Sequence, residues 1–191
     1  DRPPAAYPVS LAEARRQLKF DTDDSDVDLA GWIAAATELV ETYTGRALIT
    51  RSYRGFLNWW PTDARGDVRL WVDLWPGPLQ SVTDVITYDD SDNPTTFGSQ
   101  YYFVDTARTV GRVVLRRGVV WPIPLRMANG IQLDWVAGYG DSPASVPEAI
   151  RLAILIVVGL FSESRGDETA PQMDLPPAAK TLLGNPVLPP L

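Results

Sequence analysis

The stretch that most constrains this chain runs from Gly130 to Gly166. It reads as a strand (GIQLDWVAG), a tight turn (GYGDSPAS) and a very apolar helix (VPEAIRLAILIVVGLFSES). Ser145 and Glu148 have the S-x-x-E spacing of a capping box, in which each side chain satisfies an amide that a helix start leaves unpaired. Pro147 falls in the first turn, where a missing N–H is tolerated. The apolar side chains that follow include Ile150, Ile154, Ile156, Val157 and Phe161, the candidate core or subunit-contact positions of this helix. Its early turns keep a polar side at Glu148 and Arg151. Its later turns are apolar all round, so they need neighbours on every side, from this chain or from another copy.

That apolar helix does not span a membrane. The longest uninterrupted apolar run, Leu152–Phe161, is far shorter than the roughly 20 residues a bilayer requires. The opening DRPPAAYPVS has no signal-peptide core. It also lacks a Met, so residues preceding Asp1 are expected. The Ala, Arg, Asp, Val and Pro bias points to a GC-rich bacterial or phage gene. At 191 residues the chain predicts one domain of ordinary size, or one domain with appendages.

The preceding residues follow a simple order. Residues 1–9 are a Pro-rich lead-in. Ser10 and Glu13 form a second capping-box pair, opening a short helix over about 11–19 with Leu11, Ala14 and Leu18 as its stripe. An acidic run, Asp21–Asp28, leads into a helix over about 25–44. There Leu29, Ile33, Ala36, Val40 and Tyr43 make one face, widened by Trp32 and Leu39, and Gly45 ends it. From about 49 to 136 the period changes to two. The candidate strands are Ile49–Asn58, Val68–Leu74, Val82–Tyr88, Tyr101–Asp105, Arg112–Arg117 and Gly130–Val136. Along the second, Val68, Leu70, Val72 and Leu74 point one way. Residues 166–191 are rich in proline yet carry Leu182, Leu183, Val187, Leu188 and Leu191. Apolar residues spaced by proline predict an arm that docks on something, whereas a plain linker is more polar.

Chemistry is scarce. Cysteine and histidine are both absent, which removes thiolate chemistry, the commonest general base and the commonest metal ligand. An enzyme would have to rely on Asp, Glu, Ser, Tyr and Lys. The acids cluster in turns and helix starts, and no motif selects a pair for hydrolysis. In the acidic run, Asp21 and Asp23 alternate as in a calcium loop, but Asp26 and Trp32 stand where such a loop needs Gly and an acid. Helix-dipole capping accounts for the run instead. Gly138-Tyr-Gly140 lacks the further Gly and Lys of a phosphate loop and reads as a turn. Trp59, Trp60, Trp71 and Trp75 could stack on sugar rings. Aromatic residues are also enriched at protein–protein contacts, and that reading, or a core role, is favoured. Arg112, Arg116 and Arg117, with Arg126 nearby, form the best basic cluster. They read as salt-bridge partners on a solvated strand end, or as contacts to another subunit or to DNA. The formal net charge of −7 does not suit gripping phosphates, but it does not exclude a protein that DNA passes without adhering.

Taken in order, these motifs resemble the head–tail connector (adaptor, or head-completion) proteins of tailed bacteriophages and of phage-derived gene transfer agents. The resemblance lies in Ser10–Leu18, Asp24–Leu29 and Ala36–Leu48, then Pro76–Asp89 and Tyr102–Pro122, and most closely in Ile131–Arg165. It covers roughly residues 9–166. The long β stretch departs from the all-helical members of that family.

The resemblance implies a structural, non-enzymatic protein; the residue pattern makes it α+β, and no cofactor or metal is expected. Its expected architecture is a small antiparallel bundle of three main helices (about 11–19, 25–44 and 146–164), an inserted antiparallel β module (about 49–136) and an extended Pro-rich arm. The expected division is a lead-in at 1–9, a connector domain at 10–166 and a docking arm at 167–191. Leu155–Phe161 would lie where the core meets the root of the arm. Copies would form a ring, commonly of twelve, beneath the portal at the DNA exit. A tail-side neck or stopper protein would attach below, and Leu182, Leu183, Val187, Leu188 and Leu191 would dock on the portal. Such a protein is made in the bacterial cytoplasm and sits in the particle neck. The alternative is an aromatic-rich β module that binds carbohydrate or another ligand. An Asp/Glu-dependent hydrolase ranks last.

Overall fold

The computed structural model describes residues 6–20, 26–164 and 174–185. The chain divides into two compact units, one built on Thr50–Gly138 and the other on the helical segments that flank it.

In the helical unit, α1 spans Leu11–Leu18. The capping box forms as the sequence predicts: Ser10 Oγ accepts from the Glu13 amide, and the Glu13 carboxylate accepts from the Ser10 amide at 2.9 Å. Of the predicted stripe, Ala14 is buried and Leu18 packs against the core, while Leu11 is exposed. Helix α2, Asp26–Thr44, buries Leu29, Ile33, Ala36 and Val40, and Trp32, Leu39 and Tyr43 pack beside them. Gly45 ends it at φ 63°, the left-handed conformation that lets the last turn close. Asp26 at its start accepts from Arg15 of α1. The calcium-loop residues Asp21 and Asp23 lie outside the described residues.

Helix α3 spans Glu148–Glu163 and packs on both α2 and α4, the latter Pro177–Leu183. Its start departs from the expected capping box. Residues Pro143–Ser145 form a tight 3-10 turn, and the Val146 amide still bonds back to the Pro143 carbonyl. Ser145 therefore sits too early to cap, and its hydroxyl lies 3.3 Å from that of Ser142. Glu148 instead accepts from Arg151 at 2.7 Å.

The expectation of an extended arm is also corrected. Pro176 and Pro177 occupy the N-cap and first position of α4, where no N–H is needed. The following AAKTLL propagates the helix, burying Ala179 and Leu183 with Leu175 in the same core as α2 and α3. Thus the described residues hold four α-helices, not three.

The β unit contains two antiparallel sheets. One has the order β1–β7–β3–β4, with β1 Arg51–Leu57, β3 Leu79–Tyr88, β4 Pro94–Thr96 and β7 Ile131–Ala137. The other has the order β2–β6–β5, with β2 Trp71–Leu74, β5 Tyr102–Asp105 and β6 Gly111–Leu115. Alternation sends Val85, Ile131, Leu133 and Trp135 of the first sheet, and Val72, Leu74, Val113 and Leu115 of the second, into the interior. At Gly111 a Cβ would lie 2.2 Å from Leu79 Cβ, so only glycine lets β6 approach β3 there.

Strand β2 is shorter than its alternation predicts, because Val68 and Leu70 are exposed. Val68 instead pairs with Thr62 across a turn organised by Asp63, whose carboxylate accepts from the Arg65 and Asp67 amides.

Candidate assembly surfaces

On α3, the side facing the bundle holds Ile150, Ile154 and Val157, all buried. Ile156 and Phe161 are half-buried, and Leu152 and Leu160 are each 40% exposed. The helix is therefore apolar on two sides, one of them unfilled. An open groove of about 350 Å³ follows that second side, lined by Leu18, Leu155, Ile156, Gly159, Leu160 and Pro176. Gln17 and Glu163 are the polar residues along it. Glu163 is exposed.

Of the arm residues singled out in the sequence, Leu183 is buried and Leu182 packs against the core. Val187, Leu188 and Leu191 lie outside the described residues. The start of α4 is fastened by Asp174, which accepts from Lys180 Nζ at 2.6 Å; that bond holds its carboxyl below the usual carboxylate range.

The three-stranded sheet presents a mixed outer face. Trp71, Val114 and Phe103 lie side by side across β2, β6 and β5. Asp73, Arg112 and Asp105 make the next row. Arg112 donates to Asp105 at 2.9 Å and lies 5.6 Å from the centre of the Trp71 ring, with Arg69 at 6.0 Å. Asp105 is held below the usual range chiefly by Arg112 and also by the Ala107 amide. Arg116 and Arg117 are exposed in the turn after β6, beside Tyr101, whose carbonyl accepts the Arg116 amide. Neither makes an ion pair among the described residues.

The tryptophans do not form one platform. Trp60 is buried and stacks on Trp121 at 4.1 Å, and the two indoles donate to the Pro122 and Arg69 carbonyls. Trp71 is covered by its arginines, and Trp59 is 59% exposed. A stacking site built on Trp60 is therefore excluded by burial.

Sequence reasoning missed a polar network on the other sheet. Arg54 of β1 donates two bonds to Asp134 of β7, Gln132 links Asp134 to the Tyr88 hydroxyl, and Arg126 lies 4.1 Å from the centre of the Tyr88 ring. Arg54, above all, holds the Asp134 carboxyl below its ordinary range. The signal was the charged pair at alternate positions of two strands, but their pairing is not local. Gly138-Tyr-Gly140 is a turn, with the Tyr139 hydroxyl accepting from Arg46 at 2.9 Å. Among the described residues no cluster of three acidic side chains could hold a metal ion.

No family model matches the chain, nor does any curated protein. Solved structures do. The chain shares its fold with a chain in the neck of an empty gene transfer agent (GTA) particle computed with C6 symmetry, at a TM-score of 0.73 and 23% identity over 92% of this chain and 87% of that one. A chain of the virion of a native GTA particle matches at 0.73 and 22% identity, over 94% and 90% respectively. A chain in the neck of a native GTA particle computed with C12 symmetry matches at 0.69 and 23% identity, over 91% and 85%. At such identity the likeness is one of fold, and it takes in nearly the whole chain, β module included.

Proposed function

We propose that this chain is a head–tail connector subunit, a structural neck component of a phage or gene transfer agent particle, made in the bacterial cytoplasm. Copies form a ring, of twelve by the resemblance, beneath the portal at the DNA exit, and a tail-side stopper protein attaches below. The carrying observation is the shared fold, over more than nine-tenths of the chain, with chains of two GTA necks and of a GTA virion. The C6 and C12 symmetries of those necks favour a closed ring. The collinear sequence motifs point the same way.

Charge supports the channel role. Residues 50–138 carry nine Arg and nine Asp, so the whole net charge of −7 lies outside them. An acidic surface repels the phosphate backbone and lets DNA slide. Portal docking is assigned to the chain beyond α4, because Leu183 is already committed to the core.

Imaging of the particle neck with this chain labelled tests the proposal. A ring of label between portal and tail is expected, and label anywhere else in the particle would sink it.

A further inference from the structure

Two surfaces are left without partners inside the described chain. One is the groove along α3, where Leu160 is exposed and Glu163 makes no ion pair among the described residues. The other is the outer face of the three-stranded sheet. There Phe103 is 45% and Tyr101 44% exposed, beside the unpaired cations of Arg116 and Arg117. Exposed apolar and aromatic side chains grouped beside polar ones are a feature of protein contact surfaces.

We infer that these two surfaces are each other's partner in a second copy: the Phe103–Tyr101–Arg117 face of one subunit seats on the α3 groove of the next. This rests on the ring reading and specifies its subunit contact. Charge selects the pairing. Glu163 is the one charged residue lining the groove, so groove against groove would bring two carboxylates together. The sheet face offers the opposite sign, with Arg116 and Arg117 placed to meet Glu163. A contact between unlike surfaces is heterologous, which is the kind that closes rings. Gly159 lowers the groove wall: a Cβ there would meet only Leu18 Cδ2, at 3.8 Å. An aromatic side chain therefore has room to enter.

The chain contains no cysteine, so introduced thiols report contacts cleanly. Full-length Arg117→Cys and Glu163→Cys proteins are mixed and oxidised. The expected product is the mixed cross-link between the two variants. A Glu163→Cys pair linked to itself would overturn the inference in favour of a like-to-like contact. In parallel, sedimentation compares wild type with Phe103→Asp and Leu160→Asp. Both positions are solvent-exposed, so both variants keep the wild-type melting curve, and each loses self-association by at least about tenfold. Mixing these two variants leaves one intact contact per pair, so the mixture stops at dimers. Undiminished self-association of both variants overturns the inference, and so does a wild type that stays monomeric at every concentration. If particles nevertheless show a ring of this chain, the ring reading survives and only the assigned contact fails.

Discussion

Asp134 accepts the Nε and Nη2 protons of Arg54 at 2.7 and 2.9 Å, although the two residues are 80 positions apart in sequence. They are register partners on β7 and β1, so this two-pronged contact records the correct pairing of those strands. A slip by one residue would send Asp134 into the interior, where Leu133 and Trp135 now sit.

That relationship has an acid signature. Bonds from Arg54 and then Gln132 hold the Asp134 carboxyl below its ordinary value. A carboxylate whose folded pKa is depressed stabilises the fold above its unfolded value, about 3.9, and the benefit is lost as pH falls through the lower folded value. Asp134→Asn removes that contribution. Urea midpoints measured from about pH 5 downward should fall less steeply in the variant than in wild type. Some slope remains, because Glu13, Asp89, Asp105 and Asp174 are depressed too. Identical slopes would deny Asp134 the role.

Much of the helical unit was legible because its signals are local. The 3.6 period of Leu29, Ile33, Ala36 and Val40 marked the buried face of α2, and Ser10 with Glu13 marked a real helix start. The same capping pattern at Ser145 and Glu148 misled, because a 3-10 turn had already used the Ser145 and Val146 amides. Proline misled in the opposite sense after residue 174. It breaks a helix interior but suits a first turn, and Pro176 and Pro177 stand at one. The short strand β4, Pro94–Thr96, is too brief for alternation to register, and its proline suits an edge. The groove was half legible: the apolar later turns of α3 had to be covered, but which of them this chain covers depends on α4.

Gly31 lies on the exposed side of α2, and a Cβ there would meet nothing within 4 Å. Glycine inside a helix costs roughly 0.5–1 kcal/mol relative to alanine. Gly31→Ala should therefore raise the stability of the helical unit by about that amount, seen as a higher urea midpoint at unchanged slope. A lower midpoint would mean that this side of α2 is not free.

Adjacent tryptophans should behave oppositely. Trp60 is 5% exposed, stacked on Trp121 and bonded to the Pro122 carbonyl, whereas Trp59 is largely in solvent. Trp60→Ala should cost about 3–5 kcal/mol, and Trp59→Ala within about 0.5 kcal/mol. Denaturant unfolding of the two variants decides it. Equal losses would contradict the stacked pair.

The end of the chain divides at Asn185, and the two sides should respond differently to removal. Leu175, Ala179 and Leu183 are buried in the α2–α3 core, so a chain stopped at Met173 exposes that core. Two leucines at about 1.5–3 kcal/mol each put the loss on the order of 3–6 kcal/mol, a large share of the 5–15 kcal/mol that a domain typically possesses. That truncation should melt well below the full chain, so its failure to bind the portal would say nothing about docking. A chain stopped at Asn185 keeps α4 and should melt like the full chain. It lacks Val187, Leu188 and Leu191, and should lose attachment to portal-bearing particles in a co-sedimentation assay. Full attachment by the shorter chain would move the docking role off these residues, and equal melting of both truncations would remove α4 from the core.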